Sequence, residues 1–275
     1  MDGPQPTPSG GPGPAPLSES PEAMQQHGSS SSNSSSRRPR SHPPSDLPVL
    51  ANFSSSKLVL GAGVAIFHVA SARVVLCWHS RDEYWFLPKG RRDAGEESGA
   101  GAEREGFEES GYRNRLLPLP LQHRQPRPHN PSSHAASPFV TEPVWTQLMP
   151  QSATAQYMLF WYIAETLAPS VEAELDAHTQ AAATPENPTP YQYPPPYPRD
   201  LTFAERRKQE PGGYEPPRHE GTGVDEEEAL YQSFLLPVED AARKVAVLRD
   251  GGVQADVIRT GWEAICLRRN MERGG

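Results

Sequence analysis

The chain has few of the residues that would mark it as secreted or membrane-bound. It contains only two cysteines among 275 residues, Cys77 and Cys266, which argues against a disulfide framework or a zinc site and suits a reducing compartment. It has no run of about 18 apolar residues, so no membrane span is expected, and no apolar stretch of a signal peptide near its start. We therefore expect a cytoplasmic protein, with the nucleus as a second location.

Basic charge and apolar residues are also scarce. Lys and Arg number 26 against 34 Asp and Glu, for a formal net charge of -8, which argues against nucleic acid or an anionic membrane as a partner. Hydrophobic residues make up 35% of the chain, 32 residues are proline, and the mean hydropathy is -0.67. Much of the chain therefore cannot bury a core, and we expect one globular domain with long disordered parts.

Composition divides the chain into four parts. Residues 1–55 are rich in Ser, Pro and Gly and predict a disordered tail. Residues 56–168 form the first part of the globular domain, and residues 224–272 supply its last strand and C-terminal helices. Between them, residues 169–223 predict a disordered proline-rich insertion, in which the run PPPYP at 194–198 is typical of ligands for SH3 or WW domains.

Short apolar runs predict the strands and helices of the globular domain. Strands are expected at 58–67 and 73–78, joined as a hairpin, and at 84–87. The aromatic run YMLFWYIA at 157–164 predicts a central strand, and 231–236 the last one. Helices should follow at 237–247 and 253–267. This order predicts an α+β fold with a mixed β-sheet sandwiched between helices.

Three glutamates dominate the segment GRRDAGEESGAGAEREGFEESGY, which spans residues 90–112. Glu105, Glu108 and Glu109 have spacings of i, i+3 and i+4, so a helix would place them on one face. Like charges repel there, and a bound divalent cation would relieve that repulsion. Because Mg²⁺ prefers oxygen ligands, carboxylates are its usual protein partners.

The same segment resembles the Nudix box, with the pattern G-x5-E-x7-R-E-U-x-E-E-x-G-U, in which U is a bulky aliphatic residue. All seven fixed letters are present in register, from Gly90 through Glu96 to Gly111. The preceding run WFLPKG, residues 85–90, also resembles the lead-in of many members of that family. The resemblance covers the box closely, whereas the rest of the chain shows only a compatible order of strands and helices. It implies the Nudix fold, with residues 90–112 as its loop–helix–loop.

The resemblance also implies roles for individual side chains. Glu105, Glu108 and Glu109 would bind Mg²⁺ or Mn²⁺ around a diphosphate, and Glu96 would orient Arg104, which would steady the carboxylates. The catalytic base varies within the family; Glu109 is our first choice and Glu105 the second. Glu165, at the end of the predicted central strand, is the third candidate. The implied enzyme is a Nudix pyrophosphohydrolase acting on acid anhydrides.

The segment departs from the box at two positions for aliphatic residues, and the second of them, Tyr112, is tolerable. Gly106 stands where an aliphatic residue is expected, and Gly99 and Gly101 also fall within the predicted helix. Each glycine costs a helix roughly 0.5–1 kcal/mol relative to alanine. Ser98 is a plausible N-cap. The sequence thus predicts a complete set of functional groups on a poorly supported helix.

Cations next to the box suggest the class of substrate. Lys89, Arg91 and Arg92 flank its start and suit contacts to a highly charged polyphosphate. The expected reaction is cleavage of a phosphoanhydride bond in a small molecule linked through a nucleoside diphosphate or polyphosphate. Dinucleoside polyphosphates and diphosphoinositol polyphosphates are examples. The alternative is a binding or regulatory module with weak or no catalysis, which the helix glycines and the proline-rich insertion leave open.

Overall fold

The structure, a computed structural model, describes residues 48–126, 137–185, 187–223, 226–247 and 252–274. Most of the predicted N-terminal tail lies outside these ranges, and residues 48–55 form no helix or strand. None of the helices in the described ranges combines the length and the apolar character needed to cross a membrane.

Within the described ranges, eight strands form one mixed sheet. Strand β1 (Leu58–His68) and strand β7 (Gln156–Thr166) run parallel at its centre, and β1 makes an antiparallel hairpin with β2 (Arg73–His79). These elements confirm the predicted hairpin and central strand. The other strands are β3 (Tyr84–Phe86), β4 (Lys89–Arg91), β5 (Asn114–Leu116), β6 (Trp145–Pro150) and β8 (Tyr231–Pro237).

Helices cover both faces of the sheet. Helix α1 (Ser98–Ser110) packs through Ala102 on one face, against a cluster that includes Val64 and Ile66 of β1. Helices α4 (Val238–Val245) and α5 (Val253–Gly274) lie over the other face, where their apolar residues join Phe67 of β1. Alternate side chains of one strand thus serve opposite layers. The predicted α+β arrangement, a mixed sheet between helices, is confirmed.

The region predicted as a disordered insertion contains folded structure. Residues 169–182 form helix α2 (Pro169–Ala182), and helix α3 (Phe203–Lys208) follows. The sequence prediction is wrong for these elements because each buries only a few apolar side chains, Leu175 of α2 and Phe203 of α3 among them, and polar contacts add to them. Arg113 Nη1 pairs with Glu172 Oε2 on α2 at 2.8 Å, and Thr202 with Glu205 forms a capping box on α3.

The run PPPYP is also part of the folded protein. Tyr197 is only 5% exposed, and its ring lies under two guanidinium groups, with Arg115 and Arg268 each 4.9 Å from its centroid. A proline-rich ligand must present its ring and prolines to the groove of its partner. The burial of Tyr197 therefore removes the support for an SH3- or WW-type partner at this segment.

Candidate active site

Helix α1 presents the glutamates between two defined ends. It begins after Glu97, whose side chain makes no capping hydrogen bond, so the predicted N-cap Ser98 lies one position inside the helix; its hydroxyl instead bonds the Tyr162 hydroxyl at 2.6 Å. It ends at Gly111, which has φ of 73° and donates its N–H to the carbonyl of Phe107. Left-handed backbone at this position favours glycine, so Gly111 stops the helix just after Glu109.

Arg104 is the hub of the acidic face. Its guanidinium contacts Glu96 at 2.9 and 3.0 Å, Glu105 at 3.0 Å and Glu108 at 2.7 Å, and it donates to the carbonyl of Arg91 at 3.0 Å. Its pKa is raised, first by the hydrogen bonds to Glu96. Burial raises the pKa of Glu96, but its bonds from Arg104 and from the Asp93 N–H outweigh burial and leave that pKa lowered. Glu96 therefore stays ionised and anchors the arginine.

A second group of carboxylates faces the loop that precedes the helix. Ligand oxygens of Glu105, Glu109 and Glu228 all lie within 4.8 Å of one another. Glu228 comes from a short 3-10 turn, Glu228–Leu230, that leads into β8. Three converging carboxylates match the oxygen ligands that Mg²⁺ and Mn²⁺ prefer, so this donor set fits a divalent cation.

The protonation of these carboxylates reflects their crowding. Burial raises the pKa of Glu109 to about 8, against the opposing effect of Lys89. Burial likewise raises the pKa of Glu105 to about 7, although Arg104 acts in the opposite direction. Glu228 also raises the pKa of both Glu105 and Glu109, and Glu105 raises that of Glu109. The ionised carboxylates of this group would repel one another, and a bound cation would relieve that repulsion.

The loop before the helix approaches the carboxylates very closely. The backbone N–H of Lys89 donates to Glu109 Oε2 at 2.7 Å. A Cβ on Gly90 would lie 1.9 Å from Glu105 Oε2, so only glycine fits at this position. The first glycine of the motif is thus required because the glutamate carboxylate occupies the space of a side chain.

Comparison with known proteins agrees with this geometry. A model of the NUDIX domain matches residues 58–183, which include β1, the loop–helix–loop and β7. This chain carries a NUDIX domain. The match confirms the predicted family and, with it, the predicted enzyme class, the Nudix pyrophosphohydrolases.

Solved structures with similarity to this NUDIX protein have low sequence identity to it. A NUDIX hydrolase from Nitrosomonas europaea has 12% identity and a TM-score of 0.38, over 76% of this chain and 92% of its own. A NUDIX family hydrolase from Clostridium perfringens has 14% identity and a TM-score of 0.35, over 76% and 96%. An Ap4A hydrolase from C. elegans has 14% identity and a TM-score of 0.34, over 74% of this chain and 98% of its own. At these values the three structures carry no argument about function. The search of curated proteins found no match.

The cluster around the NUDIX helix differs in one respect from the predicted metal set. The carboxylate of Glu108 pairs with Arg104 and lies outside the group of three, whereas Glu228, which the sequence reading missed, lies inside it. The available signal was the acidic run Glu226–Glu228 directly before the last predicted strand. Its proximity to Glu109 depends on how β8 joins the sheet, beside β2, which local sequence does not reveal.

The flanking cations have different surroundings. Lys89 is half-buried, with Nζ 5.8 Å from the centroid of the Phe86 ring, and Arg91 is exposed beside the acidic face. Arg92 instead donates to the backbone carbonyl of Glu96, so its guanidinium is engaged in holding the loop. Lys89 and Arg91 are therefore better disposed than Arg92 toward an arriving phosphate.

Glu165 lies elsewhere. It is 1% exposed and pairs with Arg115 at 2.8 Å and with Arg206 at 3.0 Å. It stands opposite Phe67 on β1, five residues beyond Ala62, the partner of Gly90. At about 3.3 Å per residue, that separation is roughly 16 Å. The third candidate base is thus distant from the carboxylate group.

The glycines of α1 let the helix approach the sheet. A Cβ on Gly106 would lie 2.6 Å from Asn114 Nδ2 and 2.8 Å from Val64 Cγ1. Asn114 Nδ2 in turn donates to the carbonyl of Glu103 at 2.9 Å. The departure from the aliphatic residue of the motif therefore has a packing reason. Gly106, which weakens the isolated helix, thus permits its close contact with the sheet.

Residues 187–223, which we call the covering segment, lie with their two ends against the outer side of the same helix. The ring of Tyr191 is 5.8 Å from that of Phe107, and the Tyr193 hydroxyl donates to Glu96 Oε1 at 3.1 Å. The Thr222 hydroxyl donates to the carbonyl of Glu108 at 2.9 Å. The part of the chain predicted to be disordered thus supports helix α1 from the side opposite the sheet.

Proposed function

We propose that this protein is a metal-dependent Nudix hydrolase that cleaves a phosphoanhydride bond in a small molecule linked through a nucleoside diphosphate or polyphosphate. Dinucleoside polyphosphates and diphosphoinositol polyphosphates are the first candidates. The observation that carries the proposal is the convergence of Glu105, Glu109 and Glu228, whose ligand oxygens lie within 4.8 Å of one another.

Mg²⁺ or Mn²⁺ would be held by this group, and Glu108, which pairs with Arg104, would be a further ligand beside it. The cation would neutralise phosphate oxygens and lower the pKa of a coordinated water. Arg104 bridges Glu105 and Glu108 and so keeps both carboxylates oriented. Glu96 keeps Arg104 in position through two hydrogen bonds.

Glu109 is our choice for the general base, with Glu105 second. A general base must lie within reach of the water that it deprotonates, and both carboxylates belong to the group that would hold the cation and its coordinated water. Lys89 and Arg91 would receive the substrate phosphates, since both lie at the start of the loop beside these carboxylates.

The alternative of a non-catalytic binding module rested on the helix glycines and on the proline-rich insertion, and both now have a structural explanation. Gly106 is explained by the close approach of Val64 and Asn114, and the covering segment packs on the helix. A reducing compartment, the cytoplasm with access to the nucleus, stays our expectation and is supported by two free thiols, Cys77 and Cys266.

The test is a hydrolysis panel with the full chain and Mg²⁺ or Mn²⁺. It should cover dinucleoside polyphosphates, nucleotide sugars and diphosphoinositol polyphosphates, with phosphate or nucleotide release as the readout. Glu109→Gln should reduce turnover by at least about a hundredfold. Glu97→Gln is the matched control, because Glu97 is exposed at the start of the same helix and its side chain makes no capping bond.

Turnover of no panel member by the folded protein would refute the proposed activity. Full turnover by Glu109→Gln would refute the role of Glu109. Thermal unfolding of both variants without metal separates a loss of chemistry from a loss of fold.

A further inference from the structure

A cavity of about 480 Å³ lies at the far end of the two central strands, between α3 and α5. Val69 and Ala70, which follow β1, form part of its wall together with the ring of Phe203. Its volume is within the range of about 300–1,000 Å³ that small-molecule sites occupy. Glu165, at the end of β7, also lines it, so the cavity is roughly 16 Å along β1 from the strand pair that holds Gly90.

Two of the acids in this cavity are fully engaged by buried basic groups. Glu165 pairs with Arg115 at 2.8 Å and with Arg206 at 3.0 Å. Glu210 pairs with Arg206 at 2.9 Å and with His68 at 3.1 Å. Arg206 itself is 4% exposed. These carboxylates are therefore neutralised from within the protein and need no cation from solvent.

The remaining charges leave positive charge at the cavity mouth. Glu272 pairs with Arg268 at 2.7 Å. Arg207, Lys208 and Arg273 also line the cavity, are exposed, and form no ion pair within the described parts of the chain. Three such cations stand out in a protein whose formal net charge is -8, and a concave site of one sign attracts a ligand of the other.

A fourth cation is fixed in the wall. Arg269 is half-buried, donates to the carbonyl of Val69 at 3.2 Å, and lies 5.8 Å from the centroid of the Trp262 ring. A guanidinium held in this way loses little freedom when it binds a ligand. The cavity thus combines one ordered arginine, exposed cations at the mouth and an apolar wall.

We propose that this cavity binds a phosphate monoester attached to an apolar or aromatic body. Arginine guanidinium groups match the oxygens of a phosphate in pairs, and the dianionic charge of phosphate suits several uncompensated cations. The side chains of Val69, Ala70 and Phe203 would contact the organic part. The site is separate from the carboxylates of α1 and requires no divalent metal.

Phenyl phosphate is the probe, because it has an aromatic body and no anhydride bond that the NUDIX site could cleave. Isothermal titration calorimetry with the full chain in EDTA should show saturable binding. The variant Arg207→Gln/Arg273→Gln should bind at least about tenfold more weakly, since it removes two charged donors at the cavity mouth.

The control is Arg243→Gln/Arg259→Gln, which removes two exposed arginines outside the cavity, 72% and 46% exposed at their side chains. It should stay within about twofold of the unmodified protein. Absence of saturable binding, or equal weakening in the control, would overturn the proposed site. Glu109→Gln should bind phenyl phosphate normally, so this result and the hydrolysis result are independent.

Inorganic phosphate and phenol distinguish the two halves of the ligand. Both should bind more weakly than phenyl phosphate if the cations and the apolar wall act together. Inorganic phosphate that binds as tightly as phenyl phosphate would refute the organic body, and phenol that does so would refute the role of the cations.

Discussion

Gly106→Ala tests whether the glycines of α1 are defects of the helix or requirements of its packing. In an exposed helix, replacing glycine by alanine stabilises by about 1 kcal/mol. At position 106 the new methyl group would lie 2.6 Å from Asn114 Nδ2 and 2.8 Å from Val64 Cγ1. Both neighbours are buried, with 1% and 0% exposure, so neither can turn outward.

The steric cost exceeds the gain in helix propensity. Overpacking a core by one methyl group costs about 1–3 kcal/mol, and displacing the Asn114 amide from the carbonyl of Glu103 costs about 1 kcal/mol more. After subtracting about 1 kcal/mol of propensity, Gly106→Ala should lower the free energy of unfolding by about 1–3 kcal/mol.

Gly99→Ala is the matched control on the same helix. Its Cβ would meet only the Leu116 Cδ1 atom, at 2.9 Å, the movable end of a half-buried side chain. This variant should therefore keep most of its propensity gain and be neutral or stabilising. Urea unfolding followed by circular dichroism, without metal, measures both. A Gly106→Ala protein as stable as Gly99→Ala would refute the packing argument.

Three further predictions concern the metal group and the covering segment. Glu228→Gln should raise the Mg²⁺ concentration needed for half-maximal turnover by about tenfold or more; an unchanged metal dependence would remove Glu228 from the site. Tyr197→Ala should destabilise the protein by about 3 kcal/mol in urea unfolding, whereas a disordered segment would tolerate it. The metal-free protein should lose stability as pH rises from about 4.5 to 8, because burial raises the folded-state pKa of Glu105 to about 7 and of Glu109 to about 8. Thermal melts that are flat across this range would contradict that expectation.

The direction of the pH effect follows from the proton count. Between pH 4.5 and 8 the folded protein retains protons on these buried carboxylates that the unfolded chain has lost. Stability is therefore fully present below the unfolded pKa and declines as pH rises through the folded values. A cation that binds only the folded, ionised group should offset this decline, so Mg²⁺ should stabilise the protein more at pH 8 than at pH 6.

Local patterns predicted the elements whose residues are nearly all apolar. Strands β1, β2 and β7 have continuous apolar runs because they are buried on both faces, so their existence and central place were readable. Helices α2 and α3 were missed because each buries only a few apolar side chains, Leu175 of α2 and Phe203 of α3 among them, and because the ion pair of Arg113 with Glu172 joins residues distant in sequence. Charged residues predict solvent exposure unless the partner is known.

The sequence by itself determined which functional groups helix α1 presents. Arg104, Glu105, Glu108 and Glu109 stand within six consecutive residues of one helix, and helical periodicity is sufficient to bring such neighbours together.

Only the tertiary structure decided what surrounds them. Glu228 reaches the carboxylate group through the pairing of β8 with β2. Tyr193 of the covering segment contacts Glu96 from 97 residues away. Position 106 requires glycine because Val64 and Asn114 lie so close to it. These contacts join residues distant in sequence, and their energies depend on burial and close packing, which spacing along the chain does not encode.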